Sequence, residues 1–325
     1  MKRVLVSGGF TLIEFMVSMV LGALIVTALI SVVTQLSDAR TAVQERGQLV
    51  QEAHFAMTRM VRAVAQTRDL ILPQMDKPAT DWRENVREET VPASPPEGSS
   101  TKATAVLAVS LSARVDLNAD GIPDADNDGD GLIDEDYPAD MSFDMSPGIY
   151  QIDDGGDGSA DEGAANLDDD DEWLNSNDED PINGIDDDGD GLVDDDPSAD
   201  MNGDGAPGIV GVDDDNDGLI DEGSSEDDDE DGKSNEDWLD AVVFFLRGDS
   251  LIERHPVPWA ENEASNVSGR NFIESVIADG VSRFRVERTS DNGSIEIVDI
   301  TLEMTAATSG ETVNLHTRVR VGGTP

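Results

Sequence analysis

Gly8-Gly9-Phe10-Thr11-Leu12-Ile13-Glu14 opens an apolar run that lasts to about Leu36, and the reading of this stretch decides the fold. Lys2 and Arg3 precede it, so the order is a short basic leader, glycine, phenylalanine, then hydrocarbon. From Phe15 to Val33 no residue is charged, and the polar ones are Ser18, Thr27 and Ser31. These 19 residues, at ~1.5 Å rise each, reach roughly 29 Å, about one bilayer core. A secretory signal peptide would end in a small-residue cleavage site after its apolar region. Here the glycine stands before the run, so a cut after Gly9 removes a leader of residues 1–9 and leaves the helix on the mature protein. The membrane part is expected over residues 10–36.

Glu14 is the one carboxylate near the start of that helix. Burying an ionised carboxylate in lipid is costly unless it is paired. A cut after Gly9 would give Phe10 a free α-amine, a cation close by or on the next subunit. GFTLIE behind a basic leader and ahead of a long apolar helix resembles the type IV prepilin class. The resemblance implies that a prepilin peptidase cuts after Gly9 and N-methylates Phe10. It also implies that Glu14 pairs with a neighbouring subunit's terminal amine during filament assembly. Partners would then be other pilin subunits, the peptidase, and the inner membrane before assembly. The plainer alternative is a signal anchor with a chance glutamate.

Past the membrane run, apolar residues recur at Val43, Val50, Ala53, Met57, Met60 and Val64, with Arg40, Glu45, Arg46, Gln48, Glu52 and Arg59 mostly between them. This spacing predicts one helix over 10–67 with a dry face in its outer half, passing through Gly22 and Gly47. That face would pack on the chain's own head and on neighbouring subunits, or on the head alone. Residues 73–104, rich in proline, read as a linker with a short turn near Trp82. Residues 103–115 read as a strand. Strands are further expected over 241–247 and 250–255, flanking a Gly248-Asp249 hairpin turn. Others fall over 281–289 and 295–305, around an Asn292-Gly293 turn, and over 312–321; residues 271–279 fit a short helix or a strand. The fold class is therefore α+β: a long helix on an antiparallel head built from 68–115 and 241–325.

Between these two head segments lies an acidic block, residues 116–240. It holds 48 of the 71 acidic residues and one of the 21 basic ones, Lys233, and so carries −47 of the net −50. The other residues carry only −3, as in an ordinary protein. Such a block repels phosphates, which excludes nucleic-acid binding through it. With no cysteine, the fold has no disulfide or thiolate site.

The block is a repeat array with the unit Asp-x-Asp/Asn-x-Asp-Gly-x-x-Asp. Instances are Asp116, Asn118, Asp120 and Asp124; Asp126, Asp128, Asp130 and Asp134; Asp186, Asp188, Asp190 and Asp194; and Asp213, Asp215, Asp217 and Asp221. Another is Asp227, Asp229, Asp231 and Asn235. Weaker copies are Asp153, Asp157 and Asp161, where Gly155 replaces one ligand, and Asp200, Asn202 and Asp204; Asp140, Ser142 and Asp144 form a decayed copy. A longer period overlies these: Asp126–Gly163 matches Asp186–Gly223 at a constant offset of 60 without gaps. The block thus reads as a tandem duplication whose halves repeat one structure.

Oxygens at alternate positions of a tight loop turn towards one centre, and the glycine permits the sharp turn. The next residue offers its carbonyl, and a later carboxylate closes the shell. Hard Ca²⁺ collects six to eight oxygens in this way at ~2.3–2.6 Å. No His/Cys set suits zinc, and Mg²⁺ demands stricter geometry. The loops resemble EF-hand-like, dockerin and, most nearly, thrombospondin type 3 calcium loops. They lack flanking amphipathic helices, and Tyr137, Pro197 and Trp238 stand where a full EF loop has its closing acid. The alternative is a disordered acidic run. Fixed glycines, and Leu132-Ile133, Leu192-Val193 and Leu219-Ile220 directly after them, argue against it. Ile149, Ile152, Ile209 and Val212 are expected to make contacts between loops, and Trp173 and Trp238 to anchor the block's ends.

The strand order, with GFTLIEFMVSMVLGALIV, looks most like PilW/PulJ-type minor pilins over about 10–115 and 240–321. That likeness implies a structural subunit of a pilus-like filament, here with a Ca²⁺-stabilised module, acting in assembly or adhesion. Alternatives are a type II secretion pseudopilin confined to the periplasm, or a calcium-dependent surface adhesin anchored by a pilin helix. Enzyme chemistry is not expected: His54, His255 and His316 fall on three separate elements, and no phosphate-binding glycine motif or nucleophile elbow is present.

Overall fold

The computed structural model describes residues 12–73, 79–83, 105–127, 238–257, 272–290 and 296–323, with residues 133, 145, 148–152, 160–161, 205, 210–211, 218–221 and 223–224 between them. Its first element is one uninterrupted helix, α1 (Leu12–Gln66), of 55 residues. Three hydroxyls in its apolar half are satisfied within the helix. Ser18, Thr27 and Thr34 donate to the carbonyls of Glu14, Ala23 and Ile30, four residues back, at 2.7, 2.8 and 2.6 Å. Every residue from Leu12 to Thr41 is exposed. By length and composition this part could cross a membrane once.

The outer half of α1 buries Leu49, Ala53, Ala56, Met57, Met60, Val64 and Ala65 against the head. The expected dry face is thus shifted slightly. Val43 lies beyond the head and is 73% exposed, while Leu49 and Ala56 take part in the contact.

The head is two antiparallel sheets. One runs β1 (Leu70–Leu72), β3 (Val106–Ser110), β4 (Ala241–Arg247), β5 (Ser250–Pro256), β6 (Phe272–Ala278) in spatial order. The other runs β2 (Ala79–Arg83), β7 (Val281–Ser290), β8 (Glu296–Thr305), β9 (Thr312–Arg320). The helix lies across β9 and β8 of one sheet and β6 of the other. Strand β8 shows the alternation that makes it a strand: Val298, Ile300, Leu302 and Met304 are fully buried, with half-buried Asp299, Thr301 and Glu303 between. They meet Phe244, Phe284 and Leu251 and the helix residues in one core. Each such side chain contributes about 1.5–3 kcal/mol by leaving water.

The Gly248-Asp249 hairpin forms as expected, pairing Arg247 with Ser250. Residues 272–278 resolve to a strand, not a helix. Two expectations are corrected. The linker over 73–104 contributes a strand: β2 pairs Ala79 with Glu287 through Arg83 with Arg283. The strand expected over 103–115 is cut to Val106–Ser110, because Leu111 onward turns away into the acidic block. Between β6 and β7, Gly280 is obligatory. Its φ is +71°, the Thr305 amide donates to its carbonyl at 2.8 Å, and an added Cβ would sit 2.8 Å from the Thr305 carbonyl oxygen. The Asn292-Gly293 turn lies outside the described residues.

Strand β3 is apolar on both faces, Val-Leu-Ala-Val-Ser, and all five residues are buried. Leu107 and Val109 face the main core. Val106 and Ala108 face the other way, with Leu72 and Val243, and are covered by Ile149 and Ile152. The acidic block therefore supplies a lid to the five-stranded sheet. Ile149 and Ile152 bridge block and head, where contacts between loops were expected.

Candidate functional site

The acidic block leaves and rejoins the head at one place. The amide of Leu111 donates to the Asp240 carbonyl at 2.9 Å. Asn127 Nδ2 donates to the Trp238 carbonyl at 3.1 Å and to Asp240 Oδ2 at 3.3 Å. The two ends of a 125-residue excursion are thus clasped together, and Trp238 takes part through its main-chain carbonyl. Trp173 lies outside the described residues.

Just inside the clasp is the first loop, residues 116–126. Its side chains take the loop's own amides. Asp116 Oδ2 accepts from Gly121 N at 3.2 Å, Asn118 Oδ1 from Asp120 N at 2.9 Å, and Asp120 Oδ1 from Ile122 N at 2.8 Å. Asn118 Nδ2 also donates to Asp120 Oδ2 at 2.9 Å. Such bonds form because a carboxylate or amide oxygen reaches the amide two residues on when the chain turns tightly. Asp124 closes the loop: its Oδ2 accepts from Leu117 N at 2.8 Å. Its Oδ1 is buried and has no hydrogen-bond partner. Burial pushes the Asp124 carboxyl up, the amides of Leu117 and Asn118 oppose this, and the charges of Asp116 and Asp120 add to the rise.

The glycines do what the repeat requires of them. At the sixth place of their loops Gly121, Gly205 and Gly218 have φ of +95°, +78° and +99°. The decayed copy keeps the same turn with Met145 at +66°. Correspondence at offset 60 extends further. Gln151 and Gly211 both have positive φ, at +62° and +81°, as do Asp161 and Asp221, at +61° and +57°. Asp161 Oδ1 accepts from Gln151 N at 2.7 Å, and Asp221 Oδ1 accepts from Gly211 N at 2.6 Å. At these positions the two halves of the duplication share one backbone course.

Among the described residues no three acidic or histidine side chains close on one point. In the first loop the carboxylates face amides instead. The donor set nonetheless fits a hard cation. Asp116, Asn118, Asp120 and Asp124 stand at the spacing calcium uses, and one buried carboxylate oxygen is unsatisfied. Of the other predicted ligands, Asp126, Asp161 and Asp221 are described, and Asp126 is buried. Asp128, Asp130, Asp134, Asp153, Asp157, Asp186, Asp188, Asp190, Asp194, Asp200, Asn202, Asp204, Asp213, Asp215, Asp217, Asp227, Asp229, Asp231 and Asn235 lie outside the described residues, as do Ile209, Val212, Gly9 and Phe10. Glu14 is exposed on the first turn of α1.

Sequence reasoning did not single out the residues that seat the block. Arg254, 3% exposed, donates to the Tyr150 carbonyl at 2.6 Å and to Glu274 at 3.1 Å, and lies over the Phe272 ring at 4.0 Å. Its neighbour Glu253 points to the opposite face and takes Arg59 of α1, with Nε at 3.0 and 3.1 Å and Nη2 at 2.5 Å. The adjacent Glu253-Arg254 pair beside Leu251-Ile252 in a mostly buried strand was the available signal, since charges there must find buried partners.

Comparison of the chain with known protein families, with curated proteins and with solved structures finds no match.

Proposed function

We propose that the protein is a structural subunit of a type IV pilus-like filament, a minor pilin, with a calcium-stabilised module on its surface. The observation that carries this reading is the two-part use of α1. Its C-terminal third is seated in the β head, while everything from Leu12 to Thr41 stands free of it. An apolar helix of that length needs an apolar surrounding. The lipid bilayer would supply it before assembly and the helices of neighbouring subunits afterwards. Gly9 would then be the cleavage point, Phe10 the new terminus, and Glu14 the carboxylate that meets a neighbour's amine.

For the module, the unsatisfied Asp124 oxygen and the shared left-handed glycine turns support calcium over a disordered acidic brush. Bound Ca²⁺ would supply positive charge to offset the repulsion among the aspartates.

Expression beside a prepilin peptidase, followed by intact mass and N-terminal sequencing, tests the filament half. The expected product begins at a methylated Phe10 and co-purifies with sheared filaments, and Glu14→Leu is processed but missing from them. A product that keeps residues 1–9, or filaments that never contain the protein, would sink the reading.

A further inference from the structure

We infer that the loop of residues 116–126 is a calcium site of the head itself, filled before the rest of the array and holding the neck of the acidic block against the sheet. This rests on the calcium reading above and adds a rank order and a structural role.

Three observations set this loop apart from the ones that end at Asp161 and Asp221. The first is its closing carboxylate. Asp124 is 6% exposed with Oδ1 unpartnered, whereas Asp161 and Asp221, at the same place in later loops, are half-buried and exposed. Those two also turn away, to amides that precede their loops. Asp124 alone of the three folds inward onto an amide of its own loop, Leu117 N.

The second is attachment. Asp124 N donates to the Val115 carbonyl at 2.8 Å, and Asp126 N donates to the Pro123 carbonyl at 3.1 Å. Ala125 between them is fully buried and belongs to the main core. The next residue, Asn127, makes the clasp to Trp238 and Asp240.

The third is preorganisation. The amide bonds of Asp116, Asn118 and Asp120 already hold the turn, so a cation arriving here orders little further chain. Asp116, Asn118, Asp120 and Asp124, with the Ile122 carbonyl, would hold it.

A buried carboxylate oxygen with no partner weakens the fold around it. A cation on that oxygen removes the penalty in the folded chain only, so occupancy stabilises the head as well as the loop. Asp161 and Asp221, half-buried and exposed, gain no such coupling.

The test uses the full chain in detergent, stripped with chelator and titrated with CaCl₂ alone, reading calorimetric binding and thermal unfolding together. The expected wild-type result is one class of site at least roughly tenfold tighter than the rest, whose filling raises the Tm of the head. Asp124→Asn should lose that class and the Tm rise, and Asp116→Asn should do the same without altering a buried group. Asp217→Asn, in a later loop, should keep both. If the two first-loop variants retain the tight class, or Asp217→Asn loses it, the inference falls while calcium binding stands. If no form binds calcium at all, the calcium reading itself falls and takes the inference with it.

Discussion

Arg254 on β5 donates to the main-chain carbonyl of Tyr150 at 2.6 Å, which ties the acidic block to the face of the five-stranded sheet opposite the helix. Its neighbour Glu253 makes the matching bond on the other face, to Arg59 of α1. One strand thus fastens the helix on one side and the block on the other.

Replacing Arg254 by methionine keeps much of the side-chain volume but loses the Tyr150 and Glu274 bonds. The expected cost is about 2 kcal/mol, since hydrogen bonds to a charged group contribute about 1.5–3 kcal/mol. Urea unfolding measures it. Limited proteolysis of the same variant should cut faster within 128–237, and an unchanged cutting rate would mean that the block is seated by other contacts.

Arg59→Ala strands a buried carboxylate, since the Glu253 side chain is only 8% exposed. The expected loss is about 3 kcal/mol, larger than for a surface pair. Arg59→Gln combined with Glu253→Gln leaves no buried charge and should recover more than half of the loss. A double-mutant cycle of unfolding free energies checks this, and additive losses would show that the pair is not coupled.

The two halves of the duplication should respond differently to truncation. Ile149→Ala or Ile152→Ala opens a cavity beside Leu72, Val106 and Val243, at a cost of about 2–4 kcal/mol each. Leu219→Ala in the second half, where the side chain is 57% exposed, should change stability by less than about 0.5 kcal/mol. Equal losses in thermal melts would contradict the docking of the first half.

Acid should weaken the head through β8 and β9. The hydrogen bond from Arg318 holds the Asp299 carboxyl below the ordinary carboxylate range against some desolvation, and His316 lowers it further. A depressed folded value stabilises the chain above the unfolded one, about pH 3.9, and that stability is lost as pH falls through the folded value. Unfolding free energies measured in chelator should therefore fall from about pH 4 downward, and Arg318→Gln should flatten that fall. A steeper acid limb in the variant would refute the assignment.

What the chain states locally, it states clearly. The apolar run before and after Gly22 specified the helix, the alternation in Val298–Met304 specified β8, and the turn at Gly248-Asp249 specified its hairpin. The loop glycines, whose repeated place demanded a left-handed turn, are found in one at each described position. All of these rest on periodicity or on the conformational freedom of single residues, which neighbours in sequence suffice to reveal. Strand β2 could not be read this way. Its partner β7 lies about 200 residues on, and a proline-rich surrounding gives no local sign of that pairing. The same holds for the helix face, where Val43 and Leu49 exchange roles according to where the head begins. It holds too for the first half of the duplication: Ile149 and Ile152 have the same kind of counterparts in Ile209 and Val212, so no local pattern marked them as the lid on the apolar face of β3. Side-chain chemistry fixed which elements form and where the loop turns fall. Only packing decided which surfaces those elements cover, because burial depends on what the distant chain brings to each face.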